Sequence, residues 1–245
     1  MIQSVQKAME ILRVVSDGKN HPVPLMEIAQ KTGYPKPTCA HLLETLCHDG
    51  YAERVSHAEG YRLGAAAYYL TRYGSFEQPL VSLCRPVMRW MERKTHATVI
   101  LSVLRNRQKF IIAYADTEQN LLQEHPSIRM DDLYRTATGR AMLAWMEEEE
   151  LRAIWEQHGP PPAGHWDAVR TFGELTEALK LLRRQAVICS EDGKNVGYAC
   201  PLFCRSVCIG AIGIAQKSDL PAEKLLPILK KGTKEILRRL EYEDL

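Results

Sequence analysis

The 245-residue chain is predicted to be an α+β protein in two parts: an N-terminal winged helix-turn-helix, then an α+β domain built on an antiparallel sheet flanked by helices. Three observations predict the two parts. Two short amphipathic segments meet at a Gly-Tyr-Pro turn, a small β-rich hairpin follows them, and beyond residue 96 paired β-rich runs alternate with helical stretches.

The first element is SVQKAMEILRVVSDG, which places Val5, Ala8, Met9, Leu12 and Val15 at helical spacing, with Ser4 as the expected N-cap and a stop near Gly18. In VPLMEIAQKTG, Leu25, Ile28 and Ala29 share a face and Gly33 is the C-terminal stop. Proline lacks an amide hydrogen and has a fixed φ, so Pro37 belongs in the first turn of a new helix, while Pro35 holds Tyr34 out of the α region. In that helix Cys39, Leu42, Leu43 and Leu46 face a core, and Pro37, Ala40, His41, Glu44 and His48 lie opposite. Tyr51 to Val55 and Tyr61 to Leu63 are expected strands around a Ser-His-Ala-Glu-Gly turn, forming a wing. Such a unit offers its second helix to the DNA major groove, with Lys36, Pro37, Thr38, Ala40 and His41 as expected contacts and Arg54 and Arg62 added by the wing. Residues 1–63 enclose little core, so the next helix or a partner chain must contribute.

Residues 64–95 are predicted to be a helical connector with Pro86 as a kink or restart, and residues 96–245 the second domain. TVILSVLRNRQKFIIAYADT is a hairpin turning at Asn106-Arg107-Gln108. Further β-rich runs lie at 186–190, 197–203 and 207–215, helical patterns at 138–157, 172–184 and 221–240, and GPPPAGHWD at 159–167 is a surface loop.

Hydrophobic content of 45% and charge of 25% are those of a globular protein. No apolar run reaches membrane-spanning length and no signal-peptide pattern opens the chain, so a cytoplasmic protein without membrane contact is expected. Seven scattered cysteines fit a reducing compartment. Net charge is only +2, and residues 1–73 hold eight Lys and Arg against seven Asp and Glu, so DNA binding must come from a few convergent cations: Lys7, Lys36, Arg54, Arg62 and the histidines.

The spacing Cys200-x3-Cys204-x3-Cys208, with Cys189 nearby, matches neither zinc nor iron-sulfur patterns, and on a hairpin these are expected as small packed side chains. No metal and no cofactor are expected. P-loop, metalloprotease and nucleophile-elbow motifs are missing, which points away from an enzyme. Glu147 to Glu150 sit where carboxylates favour a helix start.

SVQKAMEIL, EIAQKTGYPKPTCAHLLETLCHDGY, YRLG, TATGRAMLA and ELTEALKLLRRQAVICSEDGKNVG occur in the order found in IclR-type bacterial transcription regulators, and the chain resembles that family over nearly its whole length. The resemblance implies a winged helix-turn-helix, a linker helix and a GAF-like domain that binds a small effector. It also implies homodimers or dimers of dimers on near-palindromic double-stranded operator DNA, joined largely through the N-terminal part. The family's recognition helix usually reads Ser-Thr-x-x-Arg, whereas here Pro37 and His41 replace the Ser and Arg, which implies a different sequence preference. The resemblance further puts Ala137 and Thr138 where backbone amides hold a carboxylate ligand, Ser190 or Glu191 where an acidic residue stands, and Cys200 at a polar pocket position. Gly213 and Ala215 stand where some acid-binding members carry serines, which implies a larger or less polar effector. The expected function is an operator-binding regulator, read as a repressor, modulated by a carboxylate-bearing metabolite. The alternative is a regulator whose C-terminal domain senses metal or redox state through its cysteines, or serves protein interaction alone.

Overall fold

A computed structural model describes residues 2–18, 21–56, 59–71, 78–116, 132–191, 195–217 and 221–241. The chain forms two compact units, Met1–Phe76 and Glu77–Leu245.

In the first unit α1 (Gln3–Ser16), α2 (Leu25–Thr32) and α3 (Lys36–His48) precede β1 (Ala52–Ser56), β2 (Gly60–Leu63) and α4 (Ala65–Thr71). Ile11, Val15, Val23, Ile28, Cys39, Leu43 and Tyr61 form its core. The turn between α2 and α3 follows from its residues. Gly33 caps α2 at φ 71°, a left-handed conformation that favours glycine, and Pro35 precedes α3 in an extended conformation with Pro37 in the first turn. Two expectations for α1 are corrected. Ser4 does not cap the helix, because the residue before it is Ile2 and no side chain caps it. Val5 and Met9 are exposed, while Ile11 and Val15 fill the core, so the buried stripe is rotated from the expected one. β1 and β2 pair antiparallel, Glu53 opposite Arg62 and Arg54 opposite Tyr61. His57 lies outside the described residues.

The second unit runs α5 (Gln78–Thr95), β3 (Thr98–Arg105), β4 (Gln108–Ala115), α6 (Asp132–Arg135), α7 (Ala137–Ala144), α8 (Glu148–His158), α9 (Phe172–Arg183), β5 (Ile188–Glu191), β6 (Asn195–Cys204), β7 (Val207–Lys217) and α10 (Ala222–Leu240). Its antiparallel sheet has the order β4-β3-β7-β6-β5. Side chains alternate across a strand, so each face has its own core. Val99, Leu101, Leu202 and Ile212 pack with Met88 and Met91 of α5 and Leu229 and Ile236 of α10. Ile188, Ala199 and Ala211 pack on the other face with Met142 and Leu143 of α7, Ile154 of α8 and Leu175 and Leu179 of α9.

The stretch expected as a connector is divided. Residues 65–71 belong to the first unit, and α5 is buried in the second through Leu80, Cys84, Val87 and Met91. Pro86 lies within α5 at an exposed position without ending the helix. The helix expected over 138–157 is two, α7 and α8, with Glu147 extended between them and Glu148 to Glu150 in the first turn of α8. Hairpin turns fall at Asn106-Arg107 and Arg205-Ser206, all four at positive φ, which suits the right-handed strand twist. Gln108 is the first residue of β4, and Cys204 ends β6 opposite Val207.

Candidate nucleic-acid and effector sites

Helix α3 divides its side chains as an amphipathic helix must. Cys39, Leu43 and Leu46 are buried and Leu42 half-buried. On the outer side Lys36, Pro37 and His41 are exposed, and Thr38 and Ala40 half-buried. The wing arginines are both exposed, but each has a neighbour: Arg54 stacks over the Tyr61 ring at 5.6 Å, and Arg62 pairs with Glu53 across the hairpin. An exposed ion pair contributes at most about 1 kcal/mol, so Arg62 can exchange Glu53 for a phosphate at little cost. Lys7 lies 5.2 Å over the Tyr34 ring, whose hydroxyl donates to Glu10, and that hydrogen bond pushes the Tyr34 phenol above its ordinary range. These contacts tie α1 to the turn before α3, a positioning role for Lys7.

The second cluster lies on the sheet face under α7. Thr136 caps this helix, its hydroxyl accepting from the Gly139 amide at 3.2 Å. Ala137 and Thr138 fill the first turn, where amides lack intrahelical partners and the helix dipole favours an anion. Beneath it, register sets Ser190, Gly197, Ala215 and Thr98 in one row across β5, β6, β7 and β3. A β-carbon at Gly197 would stand 3.1 Å from Ser190 Oγ and 3.5 Å from Ala137 Cβ, so these three residues meet. At Gly213 it would stand 2.8 Å from Thr138 Cγ2. The room expected from a missing serine there is therefore occupied by the Thr138 methyl. Thr98, Thr138 and Ser190 are buried hydroxyls around this patch.

Two of the residues proposed from sequence stand elsewhere. Cys200 pairs with Ile212 on the opposite face and packs in the α5–α10 core, because it is an odd number of residues from Gly197 and Ala199 on the same strand. Its thiol contacts the Ala186 carbonyl at 3.5 Å, and burial raises its pKa. Glu191 is exposed while Ser190 is buried, as the alternation of β5 requires, so Ser190 is the member of that pair beside α7. Among the described residues no group of three or more His, Cys, Asp or Glu could hold a metal ion.

Sequence reasoning missed two buried polar residues of this face. Lys109, only 5% exposed, donates from Nζ to Thr136 Oγ1 at 3.0 Å, the atom that caps α7. Ser102, opposite Ala211, is buried and its Oγ has no hydrogen-bond partner among the described residues. A lysine between Gln108 and Phe110, at an inward position of an otherwise apolar strand, was the available signal.

The profile described as "Bacterial transcriptional regulator IclR C-terminal" matches residues 76–235, and "IclR helix-turn-helix domain" matches residues 4–56. The chain is 27% identical over 252 residues to the HTH-type transcriptional regulator KdgR of Escherichia coli, covering 99% of this chain and 94% of that one. It is 23% identical over 205 residues to the acetate operon repressor of Salmonella typhimurium, covering 83% and 74%. An IclR homologue of Microbacterium hydrocarbonoxydans, solved in complex with 4-hydroxybenzoate, has the same fold at a TM-score of 0.72 and 17% identity, covering 98% of this chain and all of that one (100%). Relatives and profiles together describe regulators and not enzymes, and no described helix is long and apolar enough to cross a membrane. The α3 helix and its wing, and the α7 helix over its five-stranded sheet, are those of a DNA-binding transcription regulator: the chain belongs to the IclR family.

Proposed function

We propose that this regulator is a cytoplasmic, homodimeric repressor whose grip on a near-palindromic operator is altered by a small carboxylate-bearing metabolite bound under α7. The observation that carries the effector reading is the start of α7. The donors of its first turn stand beside Gly197 and its row neighbour Ala215, with Thr138 packed on Gly213, the Ser190 hydroxyl next to Gly197 and the Lys109 ammonium on the capping threonine. A carboxylate there receives backbone donors and a nearby positive charge, which together are stronger than neutral hydrogen bonds. The neighbour solved with 4-hydroxybenzoate, itself a carboxylate, supports the class.

The DNA reading rests on the exposed side of α3, with Lys36, Pro37, Thr38, Ala40 and His41 offered to the groove and Arg54 and Arg62 to phosphates. Pairing of two chains is supported by apolar surface on the first unit: Ile2 just before α1, Val5 and Met9 on α1, and Tyr68, Tyr69 and Leu70 on α4 are all more than half exposed. The effector alters operator occupancy only if it binds the DNA-competent and incompetent arrangements unequally.

The test is thermal melting of the purified protein against a panel of aromatic acids, sugar acids and short aliphatic acids. A ligand of the native state raises the midpoint with concentration. The reading predicts such a rise with an acid and none with the corresponding amide; equal rises with both would remove the carboxylate from the account.

A further inference from the structure

A cavity of about 340 Å³ opens at the end of α7 remote from Ala137 and Thr138, and all of its lining residues lie in the described part of the second unit. Its apolar lining comes from Met142, Trp145 and Met146 at and just beyond the end of α7, Ile154 of α8, and Leu104 and Ile209 of the sheet. The Trp145 ring stands edge-on to Phe203, centroids 5.0 Å apart, which fixes it. Three charged residues complete the lining: Arg107 from the β3–β4 turn, and Glu147 and Glu150 from the start of α8. Among the described residues no hydrogen bond or ion pair joins these three side chains to one another or to any other group, whereas Glu148 in the same run pairs with Arg152. The backbone that carries them is held. His158 Nε2 donates to the Arg107 carbonyl at 3.2 Å, and Arg183 donates to the carbonyls of Ala144 and Met146 just before Glu147.

We propose that this cavity binds a free α-amino acid with an apolar side chain, its carboxylate on Arg107, its ammonium on Glu147 and Glu150, and its side chain against Met142, Trp145 and Ile154. Opposite charges that share a cavity without pairing leave room for a small molecule that carries both complementary charges. A guanidinium takes a carboxylate through two parallel hydrogen bonds, and an ammonium brings its own donors to the glutamates, which only accept. The volume is near the lower end for small-molecule sites, about 300–1,000 Å³, which suits a single amino acid better than a peptide or a nucleotide. A simple acid would leave the glutamates without a partner, and a simple amine would leave Arg107 so. Glutamates at a helix start also favour the helix dipole, but that accounts for the whole run alike and not for the cavity and the arginine beside two of its members. The site is separate from the proposed acid site, since Lys109, Ser190 and Gly213 do not line it.

The experiment is equilibrium dialysis of radiolabelled L-leucine, L-methionine and L-phenylalanine, up to millimolar concentration, against the full chain. The tightest binder is then competed with two unlabelled analogues, its deaminated acid and its decarboxylated amine. The expected result is saturable binding of at least one amino acid, with each analogue weaker by roughly tenfold or more, because each loses a charge-assisted contact. Arg107→Gln, and Glu147→Gln with Glu150→Gln, change exposed residues and should keep the circular dichroism spectrum. Each should weaken amino-acid binding roughly tenfold. In Arg107→Gln the amine should compete as well as the amino acid, and in the glutamate variant the acid should do so. Lys109→Met should bind the amino acid as the parent does. No saturable binding of any of the three, an analogue as tight as its amino acid on the parent, or parent-like binding by both variants would each overturn the proposal. So would loss of binding in Lys109→Met with the other variants unaffected, which would place the amino acid at the start of α7.

Discussion

Substituting Gly213 by alanine tests the packing of α7 on the sheet, on which the proposed effector site depends. The new β-carbon would stand 2.8 Å from Thr138 Cγ2, 2.9 Å from the Tyr198 carbonyl oxygen and 3.5 Å from Ala199 Cβ. The first two distances are shorter than van der Waals contact, so the first turn of α7 must lift from β7. Overpacking of this kind costs about 1–3 kcal/mol. The loss of glycine's freedom in the unfolded chain offsets about 0.4–1 kcal/mol of that. The expected net loss is roughly 1–2 kcal/mol, or a midpoint lower by about 2–8 °C for a unit of this size. Thr138→Ser removes the nearer of the two clashing atoms and leaves the carbonyl. In the double variant Gly213→Ala/Thr138→Ser the second change should therefore restore at least about 0.5 kcal/mol of coupling, measured by urea unfolding with unchanged slope. A Gly213→Ala protein as stable as the parent, or costs that simply add in the double variant, would refute the placement of Thr138 over Gly213.

Four other outcomes are expected. His41→Ala should weaken binding to a selected operator duplex and relax base preference while shifting unfolding free energy by no more than about 0.5 kcal/mol, because His41 is exposed; unchanged preference would remove it from the groove. Lys109→Met should keep the fold, since an apolar chain of similar length replaces a buried cation, yet abolish the acid-dependent rise in melting; a full rise would exclude Lys109 from the site. Val5→Glu with Met9→Glu should turn a dimer into a folded monomer by sedimentation, and an unchanged mass would place the contact elsewhere. Glu235, hydrogen-bonded to Arg238 and Arg239, is held at about 2 against an ordinary 4.5, so the unfolded chain binds its proton first and this contribution to stability fades as pH falls through that window. Glu235→Gln should flatten acid destabilisation between those values, and identical acid profiles for both proteins would contradict it.

The local parts of this structure were legible in the sequence because the residues that set them are neighbours. Gly33, Pro35 and Pro37 fix a turn whatever surrounds it, and Cys39, Leu43 and Leu46 mark a buried face by spacing alone. The two hairpins announced themselves through short polar turns between β-rich runs. What depended on distant partners was not legible. On α1 the choice between Met9 and Ile11 as core residue is made by where α2 and α3 pack, and α5 looked like a connector because its burial comes from α10, more than a hundred residues away. The effector candidates divided for a related reason. Ser190, Gly197, Gly213 and Ala215 meet through a strand order that no local pattern displays. Cys200 was separable from them by parity along its own strand. Lys109 reaches the site from the far edge strand through the cap of α7, a contact between residues 27 positions apart.

The central claim is that an acid bound under α7 alters what α3 does on DNA. The most direct measurement is the anisotropy of a labelled duplex, selected by the protein from a random library, titrated with the protein in the presence and absence of an acid that raises its melting midpoint. The account predicts a changed operator affinity with that acid for the parent protein, and none for Lys109→Met, whose affinity without acid equals the parent's. An operator affinity indifferent to an acid that demonstrably binds would contradict it, leaving a DNA-binding protein and a ligand site with no coupling between them.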